Sequence, residues 1–594
     1  MNKNYLKYIV VILLGIFFAS YLLFKIPLPV AQDLARQIQN GQDVLAGHFD
    51  VLTKNFYSYT EPNQPFANHH WFYGVIAYLL HITIGFSGIV ILKTILFLLL
   101  FWLLFVIVKH RVNFWLFAFF SIPAMVMFLG RADFRPELFS YLFIAIWIYT
   151  LLYLEKKPQS NNAYWLIFLE LLWVNIHLYF PVGILLTTGF LLERIILKYK
   201  TGFYDETTKK LSIILGGSIV AMFINPFGLG GVVHSLSVNT SSNFPIYSSE
   251  LGSLANVFKY SPRIDSVGAL PFQLMIIALA LSFVAVIINR IRSKKPILEN
   301  HILFFFVASV ATAFLGYSII RALPLFAIIF VLAMTNNIQE LFELLQIWAK
   351  KFFAHMYNSV AFGMVLFFII IPLIYLTFFA RYVLSPYNYF GIGVTPNAER
   401  SAQFFKDNNI KGPIFNDTDV GSYLIYHFFP EEKVFTDNRF GDAYSASFFR
   451  TIYNPMIKDE DRWKEALAKY DFNVIFFYQY DGGEEVRNFL FRRFYDPEWV
   501  LVYTDNYNVI FVRNNSLNQE VIQKYGITLE NMTQKLAFLT ESDDPEDHLA
   551  AADIYGLFGQ VHWAMDQYLR FLSEVPTRGK VWLALGRMEL NKIG

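Results

Sequence analysis

The chain contains a series of apolar runs, many of them close to the length of about twenty residues that an α-helix needs to cross a bilayer. Apolar residues make up 55% of its 594 residues and charged residues only 16%. Soluble domains carry roughly 25% charged residues, so this apolar surplus needs lipid to cover it. The sequence therefore predicts a polytopic α-helical membrane protein.

The apolar runs extend from the N-terminus to about residue 380 and predict about eleven transmembrane helices. The first run follows a basic flank and lacks a small-residue cleavage site, so we expect an uncleaved signal anchor. The segment Trp71–Ile84 is short and contains His81, and we expect it to lie along the outer membrane surface. The predicted spans lie near residues 7–25, 88–108, 112–129, 138–154, 163–176, 179–197, 211–224, 269–288, 302–319, 323–335 and 358–380.

Lys and Arg clusters orient these spans, because cytoplasmic loops are enriched in both residues. The clusters lie at 109–111, 155–157, 198–210, 290–295 and 350–351. They predict a multi-pass protein of the inner (plasma) membrane, with a cytoplasmic N-terminus and an extracytoplasmic C-terminal domain. The stretch 336–355 is then predicted to form an amphipathic helix on the inner surface.

Charge and composition exclude several function classes. Lys and Arg number 48 and Asp and Glu number 46, so the net charge of +2 gives no reason to expect a nucleic-acid partner. The absence of cysteine excludes disulfides, thiolate metal sites and cysteine nucleophiles. A Gly-rich phosphate loop and the HExxH and GxSxG patterns are also missing, so hydrolase and nucleotide-dependent activities lack support.

Composition divides the chain into three predicted parts. Residues 1–384 form the transmembrane domain, with a first outer loop over 26–87. Residues 385–515 are more polar and are predicted to form an extracytoplasmic αβ domain, with a strand, turn and helix over 412–428 and strand-like runs at 433–439, 473–480, 499–505 and 507–513.

Residues 516–594 contain one tetratricopeptide-like (TPR-like) repeat and the start of another. A lone repeat cannot bury its own face. We therefore expect this helical tail to pack on the αβ domain, to bind a protein partner, or to continue in a longer array.

Four charged residues, Asp417, Asp419, Asp437 and Arg439, follow predicted strand ends of the αβ domain. Side chains at such positions can form a ligand or metal cleft. Asp also terminates strands for turn reasons alone, and we favour that interpretation.

Unusual polar residues are concentrated where the topology places the outer ends of spans. Charged groups near hydrocarbon are costly, so such a cluster indicates a functional site. Arginine binds phosphate through paired hydrogen bonds and stays charged when partly desolvated, which favours a phosphate-bearing lipid as ligand. The candidate residues are Asp33, Glu61, His69, His70, Arg131, Asp133, Arg135, Glu137, Asn175, His177 and Arg321.

The order of these features resembles the GT-C superfamily of membrane glycosyltransferases, which includes the protein O-mannosyltransferases and the lipid A aminoarabinose transferases. The shared order is a first span, a long outer loop with an early acidic residue, a charged second outer loop, further spans and an outer soluble domain. The first loop is also similar to that of uncharacterised bacterial members, and the resemblance covers roughly residues 1–515. The matching features of the first loop are Asp33, Asn40-Gly41, Tyr57-Ser58-Tyr59-Thr60, Pro65 and His70-Trp71.

The resemblance implies transfer of a sugar from a polyprenyl-phosphate donor to a protein or glycan acceptor outside the cytoplasm. Asp33 matches the first-loop acid, which implies a general base or a ligand of a divalent metal cation. Arg131, Arg135 and Arg321 would neutralise the lipid phosphate as it leaves, and the other candidates would bind substrate. The mannosyltransferases carry an Asp-Glu pair, whereas Leu34 follows Asp33 here.

Structural roles are the alternative for these residues. Asp33 can pair with Arg36 or Gln37, and the charged segment 131–137 can form an ion-pair knot. The adjacent histidines of the first loop can belong to an interfacial belt, and the polar residues at 175 and 177 can hydrogen-bond between helices. The corresponding alternative function is a catalytically inactive membrane scaffold whose outer αβ and TPR-like domains recruit envelope partners.

Overall fold

The computed structural model describes residues 3–28, 33–129, 131–198, 205–237, 266–298, 300–352, 390–479, 483–576 and 578–593. The predicted span at 358–380 lies outside the described residues. The chain divides into two compact units, the helical unit and the mixed unit. The helical unit comprises Met1–Leu23, His69–Tyr73 and Ile89–Phe379, and the mixed unit comprises Phe24–Asn68, Gly74–Gly88 and Ala380–Gly594.

Apolar helices build the helical unit, as their composition predicts. Among the described residues, four helical segments are long and apolar enough to cross a membrane: Trp71–Val108, Glu137–Lys156, Leu270–Arg292 and Ile320–Leu341. The number of crossings stays a prediction. The helices along this part of the chain are Lys3–Leu22, Trp71–Val108, Phe114–Leu129, Glu137–Lys156, Trp165–Ile176, Pro181–Lys198, Glu206–Ala221, Leu229–Ser237, Ser266–Arg292, Ile302–Ser318 and Leu323–Phe352.

One predicted boundary agrees with the structure and another differs. The stretch Trp71–Val108 contains two helices that meet at a kink at Gly85 (φ 63°), where the sequence predicts the break between surface segment and span. Glycine tolerates this backbone conformation because it has no Cβ. The helix Leu323–Phe352 continues through the expected end of a span at residue 335. No Pro or Gly interrupts it there, and the Asn337 side chain is satisfied by the Ser282 hydroxyl, 3.0 Å away.

The helix Glu137–Lys156 has a polar cluster at each end. Glu137, its first residue, lies 3.8 Å from the Arg321 guanidinium. Glu155, near its last turn, lies 2.8 Å from His301 Nε2. Twenty helical residues span about 30 Å, which is close to the thickness of the hydrocarbon core of a bilayer. The spacing of the two clusters therefore fits a helix whose apolar middle crosses a membrane.

A four-stranded sheet organises the mixed unit. Its strands are β1 Ile414–Asn416, β2 Val474–Tyr478, β3 Trp499–Thr504 and β4 Asn508–Arg513, in the order β1-β2-β4-β3. β1 pairs with β2 in parallel and the other pairs are antiparallel. The main helices of this unit are Asp33–Leu45, Arg400–Asp407, Gly421–Phe428, Asn454–Lys458, Glu460–Tyr470, Gly483–Tyr495, Gln519–Tyr525, Pro545–Leu557, Val561–Glu574 and Gly579–Ile593.

The predicted strand at 433–439 is not part of the sheet. Val434 makes only an isolated bridge, and its partner is Ser58 of the first loop. The main-chain groups of this segment are used by the first loop, because Thr60 Oγ1 also donates to the Phe435 carbonyl at 2.9 Å. The other predicted strands are observed as β1 to β4.

The first loop packs within the mixed unit, whereas the sequence assigned it to the transmembrane domain. Its helix Asp33–Leu45 crosses the helix Trp71–Val108, and Gly41 faces Gly74 at the crossing. A Cβ atom added to Gly41 would lie 2.1 Å from the Gly74 carbonyl oxygen and 2.8 Å from Tyr78 Cβ. The close helix contact therefore explains why glycine follows Asn40.

The C-terminal helices pack on the αβ part of the mixed unit. Pro545–Leu557 and Val561–Glu574 form a pair, in which His548 Nδ1 lies 2.8 Å from Gln567 Oε1. Phe558, between them, stacks on Phe494 with ring centroids 4.2 Å apart. Of the three arrangements expected for this tail, the structure shows packing on the αβ domain. The TPR assignment stays a prediction.

Substituting Gly41 tests the helix contact. Gly41→Ala is expected to lower the free energy of unfolding by about 1–3 kcal/mol, because the two helices must separate to admit a methyl group. The control is Gly586→Ala, in an exposed helical position with no heavy atom within 4 Å of the added Cβ. This control should be neutral or slightly stabilising. Thermal unfolding of the full chain measures both, and equal melting temperatures for Gly41→Ala and wild type would contradict the contact.

Candidate functional site

Asp33 opens the first-loop helix and has a fixed orientation. Its Oδ1 accepts hydrogen bonds from Arg36 Nη2 at 3.0 Å and from Asn438 Nδ2 at 3.1 Å. The side chain is 33% exposed. A carboxylate in the first helical turn is also stabilised by the helix dipole. The mixed unit thus presents an oriented and partly solvent-accessible carboxylate.

Asn438 is held by its neighbours on both sides. Its Oδ1 accepts from the Ser422 hydroxyl at 2.8 Å, so its amide nitrogen is directed to Asp33. Asp437 and Arg439 flank it in the sequence, and both are buried. Neither Ser422 nor Asn438 was predicted from the sequence, because no motif surrounds them.

Arg439 anchors this segment to the first loop. Its guanidinium donates to both carboxylate oxygens of Asp437, at 2.7 and 2.6 Å, and to Asn55 Oδ1 at 2.6 Å. Its plane covers the rings of Phe66 and Tyr57, whose centroids are 4.9 and 5.5 Å away. Hydrogen bonds to an ionised group combined with stacking make this a strong anchor.

The anchor extends through tyrosine hydroxyls. Tyr444 donates to Asp437 Oδ2 at 2.9 Å, and Tyr57 donates to Asp43 Oδ2 at 2.8 Å. Burial raises the pKa of Asp437, but attraction and hydrogen bonds from Arg439 outweigh it and hold that pKa below its usual value. Asp437 and Arg439 therefore form a buried structural ion pair, whereas the sequence favoured a turn role for them. Asp417 has the favoured turn role and accepts from Val420 N at 2.8 Å.

Glu61 is engaged within the mixed unit. Its two carboxylate oxygens accept from the backbone N–H and the hydroxyl of Ser445, each at 2.7 Å. Both oxygens thus connect the first loop to the segment that follows Tyr444. This contact gives Glu61 a structural role, and its predicted substrate contact stays a prediction.

In the helical unit, a buried carboxylate is surrounded by cations. Pro136 precedes Glu137, which opens the helix as predicted and is 5% exposed. Four basic side chains, Arg131, Arg135, Arg321 and His177, act electrostatically on it. Asp133 lies 3.6 Å from Arg135. The structure therefore brings together the residues of the charged segment with Arg321 and His177, as the sequence predicts.

Four histidines form a row in the helical unit. The rings of His69 and His70 lie 4.1 Å apart, and His70 stacks on His177 at 5.4 Å. His234, which was not predicted, lies 5.0 Å from His69. His177 Nδ1 is 2.9 Å from the Ser140 hydroxyl, in the second turn of the helix that Glu137 opens. The row therefore joins the predicted histidines to the charged cluster.

Asn175 connects three segments of the helical unit. Its Oδ1 accepts from Trp71 Nε1 at 3.0 Å. Its Nδ2 donates to the carbonyls of Leu171 at 2.9 Å and Ile224 at 3.0 Å. The bond from Trp71 is the interhelical hydrogen bond expected as the alternative to substrate binding, whereas Leu171 belongs to the same helix as Asn175.

The divalent metal that the resemblance implies for Asp33 stays a prediction. A metal site needs several oxygen, nitrogen or sulfur ligands. Within the described ranges, no three His, Asp or Glu residues are grouped so that they could hold an ion. Arg36 and Asn438, which contact Asp33 through N–H groups, cannot serve as ligands in this arrangement.

Together these observations define a class of protein: a largely helical chain with helices of membrane-spanning length and a unit with a four-stranded sheet. No family profile matches the chain, and a search of curated proteins finds no match.

Solved structures of an archaeal oligosaccharyltransferase share part of the arrangement. The first is AglB from Archaeoglobus fulgidus in complex with an inhibitory peptide and a dolichol-phosphate, with TM-score 0.47 and 11% identity over 80% of this chain and 70% of that one. Two more are the A. fulgidus enzyme tethered to an acceptor peptide (TM-score 0.37, 10% identity, 80% and 69% covered) and its apo form (0.35, 10%, 80% and 70%). Likeness at this level assigns neither a fold nor an activity.

Removing Arg439 tests the anchor. Arg439→Leu should lower the free energy of unfolding by about 3–5 kcal/mol, because Asp437 is left buried without a partner. The matched control is Arg513→Leu, which removes a pair between Arg513 and Asp471, whose side chains are 31% and 84% exposed. That pair should contribute about 1 kcal/mol or less. Thermal unfolding of both variants measures the difference, and similar losses would contradict the anchoring role.

The pH dependence of the free energy of unfolding provides a second test of the ion pair between Asp437 and Arg439. The folded pKa of Asp437 is depressed, so the pair's contribution is complete above the unfolded pKa of about 3.9 and is lost as the pH falls through the folded value. The double variant Asp437→Asn, Arg439→Leu should lose less stability on acidification than wild type does. Identical acid-unfolding curves would contradict this assignment.

Proposed function

We propose that this protein is a membrane glycosyltransferase that moves a sugar from a polyprenyl-phosphate donor to an acceptor on the extracytoplasmic side. The observation that supports it is the group of three guanidiniums around Glu137, at the end of a helix of membrane length. Arg131, Arg135 and Arg321 all act electrostatically on this one carboxylate.

A group of three guanidiniums suits the donor. The phosphodiester of a polyprenyl-phosphate sugar carries one negative charge and gains a second as the sugar leaves. Guanidinium groups bind such oxygens through paired hydrogen bonds, and their attraction grows as the leaving phosphate becomes more negative. Burial of Arg131, which is 8% exposed, strengthens the interaction by excluding water.

Asp33 is the proposed general base. Its Oδ1 takes both hydrogen bonds that orient it, so Oδ2 can accept the proton of an acceptor hydroxyl. The acceptor oxygen then attacks the anomeric carbon of the donor. The bond from that carbon to the phosphate oxygen breaks, and the lipid phosphate leaves with the electron pair.

The alternative function is an inactive scaffold, and one observation favours it. Both partners of Asp33 are also parts of the structure that fixes the first loop, since Asn438 lies between the two anchor residues Asp437 and Arg439. A carboxylate used only to fix the loop would need no acceptor substrate. The two functions differ in what happens when the charge of Asp33 is removed.

Asp33→Asn separates these functions. The amide keeps the size of the side chain, and its oxygen can still accept from Arg36 and Asn438, so the melting temperature should stay within a few degrees of wild type. Transfer should fall by about two to four orders of magnitude if Asp33 is the base. The control is Asp50→Asn, which removes an exposed first-loop carboxylate paired with Lys54 and should leave transfer unchanged. Sugar transfer in liposomes with a panel of polyprenyl-phosphate donors measures the effect, and undiminished transfer would remove Asp33 from the mechanism.

Arg131→Lys tests the phosphate site. Lysine keeps the charge but loses the paired geometry, so the Kd for donor should rise by about tenfold, and Arg131→Ala should raise it further. The matched control is Arg194→Lys. Arg194 is 9% exposed, against 8% for Arg131. It pairs with Glu155, at the opposite end of the helix that Glu137 opens.

Donor binding to the full chain in liposomes gives the Kd values. Equal Kd values for both lysine variants would exclude Arg131 from the phosphate site. Absence of transfer by the wild type with every donor would instead favour the scaffold.

A further inference from the structure

A cavity of ≈ 530 Å³ lies within the mixed unit. The first-loop helix contributes Gln39 and Gln42 to its wall, and Tyr78 comes from the following helix of the chain. The C-terminal part contributes Gln403 and Tyr426. The volume falls within the range of roughly 300–1,000 Å³ that small-molecule clefts occupy.

The cavity is separate from the surroundings of Asp33. Gln42 follows Asp33 by nine positions in one helix, which is a rotation of about 900°, or two and a half turns. The two side chains therefore leave opposite faces of the helix. Arg36 and Asn438, which contact Asp33, do not line the cavity.

Uncharged hydrogen-bonding groups dominate the wall. Carboxamides and phenols can each both donate and accept, which is the requirement for binding hydroxyl groups. Gln42 is exposed, and its side chain makes no hydrogen bond within the described ranges. Gln403 donates its Nε2 to Asp407 at 2.5 Å, which leaves its Oε1 as an acceptor.

The cavity has no net formal charge. Glu399 and Lys406, which both line it, cancel each other. Burial, and to a smaller extent Lys406, lowers the pKa of His427 to about 3, so this ring is neutral at physiological pH. A phosphate or an ammonium group would find no excess of opposite charge here.

Aromatic rings complete the wall. Tyr426 and His427 pack edge to face with centroids 4.8 Å apart, and the Tyr426 hydroxyl lies 3.1 Å from His81 Nε2. These contacts fix rings that offer apolar faces beside the polar amides. A sugar ring has the same division, with C–H groups on its faces and hydroxyls around its edge.

We propose that this cavity binds an uncharged sugar ring, carried either by a glycolipid headgroup or by a soluble glycan. The site goes beyond the transfer reaction proposed above, because its walls include neither Asp33 nor the Arg131 cluster. Its occupation can be measured without donor and without turnover.

The test uses the full chain in phosphatidylcholine nanodiscs, because alkyl glycoside detergents carry sugar rings themselves. Saturation-transfer NMR is recorded with the methyl glycosides of mannose, glucose and N-acetylglucosamine, and with methyl glucuronide and methyl glucosaminide as charged probes. At least one neutral glycoside should bind more tightly than either charged probe. The double variant Gln42→Leu, Gln403→Leu should weaken that binding by about tenfold or more, because two polar partners are lost.

Two control variants make the result specific. Gln534→Leu replaces an exposed glutamine outside the cavity wall and should bind the glycoside like wild type. Asp33→Asn should also keep binding, so undiminished transfer by this variant together with intact glycoside binding would count against the proposed function alone. All four altered positions of the cavity variant and controls are at least partly exposed, and melting temperatures verify that each protein is folded.

A competition experiment with a glycolipid identifies the source of the sugar ring. Displacement of the glycoside in nanodiscs doped with glucosyl diacylglycerol identifies a lipid headgroup, and retained binding identifies a soluble glycan. Three results would overturn the proposal: no neutral glycoside binds, a charged probe binds more tightly, or the double variant binds like wild type.

Discussion

The buried guanidinium of Arg439 fixes the first loop against the C-terminal part of the mixed unit. It bridges Asp437 and Asn55, which lie far apart in the sequence, and covers aromatic rings of the loop. A buried charge of this kind is stable only if it is paired, and Asp437 provides the pair. Because Asn438 stands between the two anchor residues, the same interaction orients its amide toward Asp33. The ion pair between Arg439 and Asp437 thereby determines the orientation of Asp33, the proposed general base.

In the helical unit, charged side chains lie close to long apolar helices. A polar cluster lies at each end of Glu137–Lys156, with Arg321 at one end and His301 at the other. Placing a charge in hydrocarbon costs free energy, whereas a charge near water stays hydrated. Clusters at the ends of a membrane-length helix are therefore expected. Three guanidiniums act on Glu137 at one of these ends, and this grouping is what supports the proposed phosphate site.

The sequence predicted the helices and the four strands well, because apolar periodicity and strand-length runs are local signals. It also predicted that polar residues at the outer ends of spans converge, and the structure groups the segment 131–137 with Arg321 and His177. It failed at 433–439, where a strand-like pattern is paired with the first loop instead of the sheet. Asn438 and the cavity around Gln42 could not be predicted, since both depend on contacts between segments several hundred residues apart. No local pattern records such contacts.

A density map of the full chain with a bound polyprenyl-phosphate analogue bears on the proposed chemistry without requiring an acceptor. We expect the phosphate to lie within hydrogen-bonding distance of the guanidinium of Arg131, Arg135 or Arg321. Density for the phosphate elsewhere, or none at a saturating concentration of the analogue, would contradict the assignment of this cluster as the donor site.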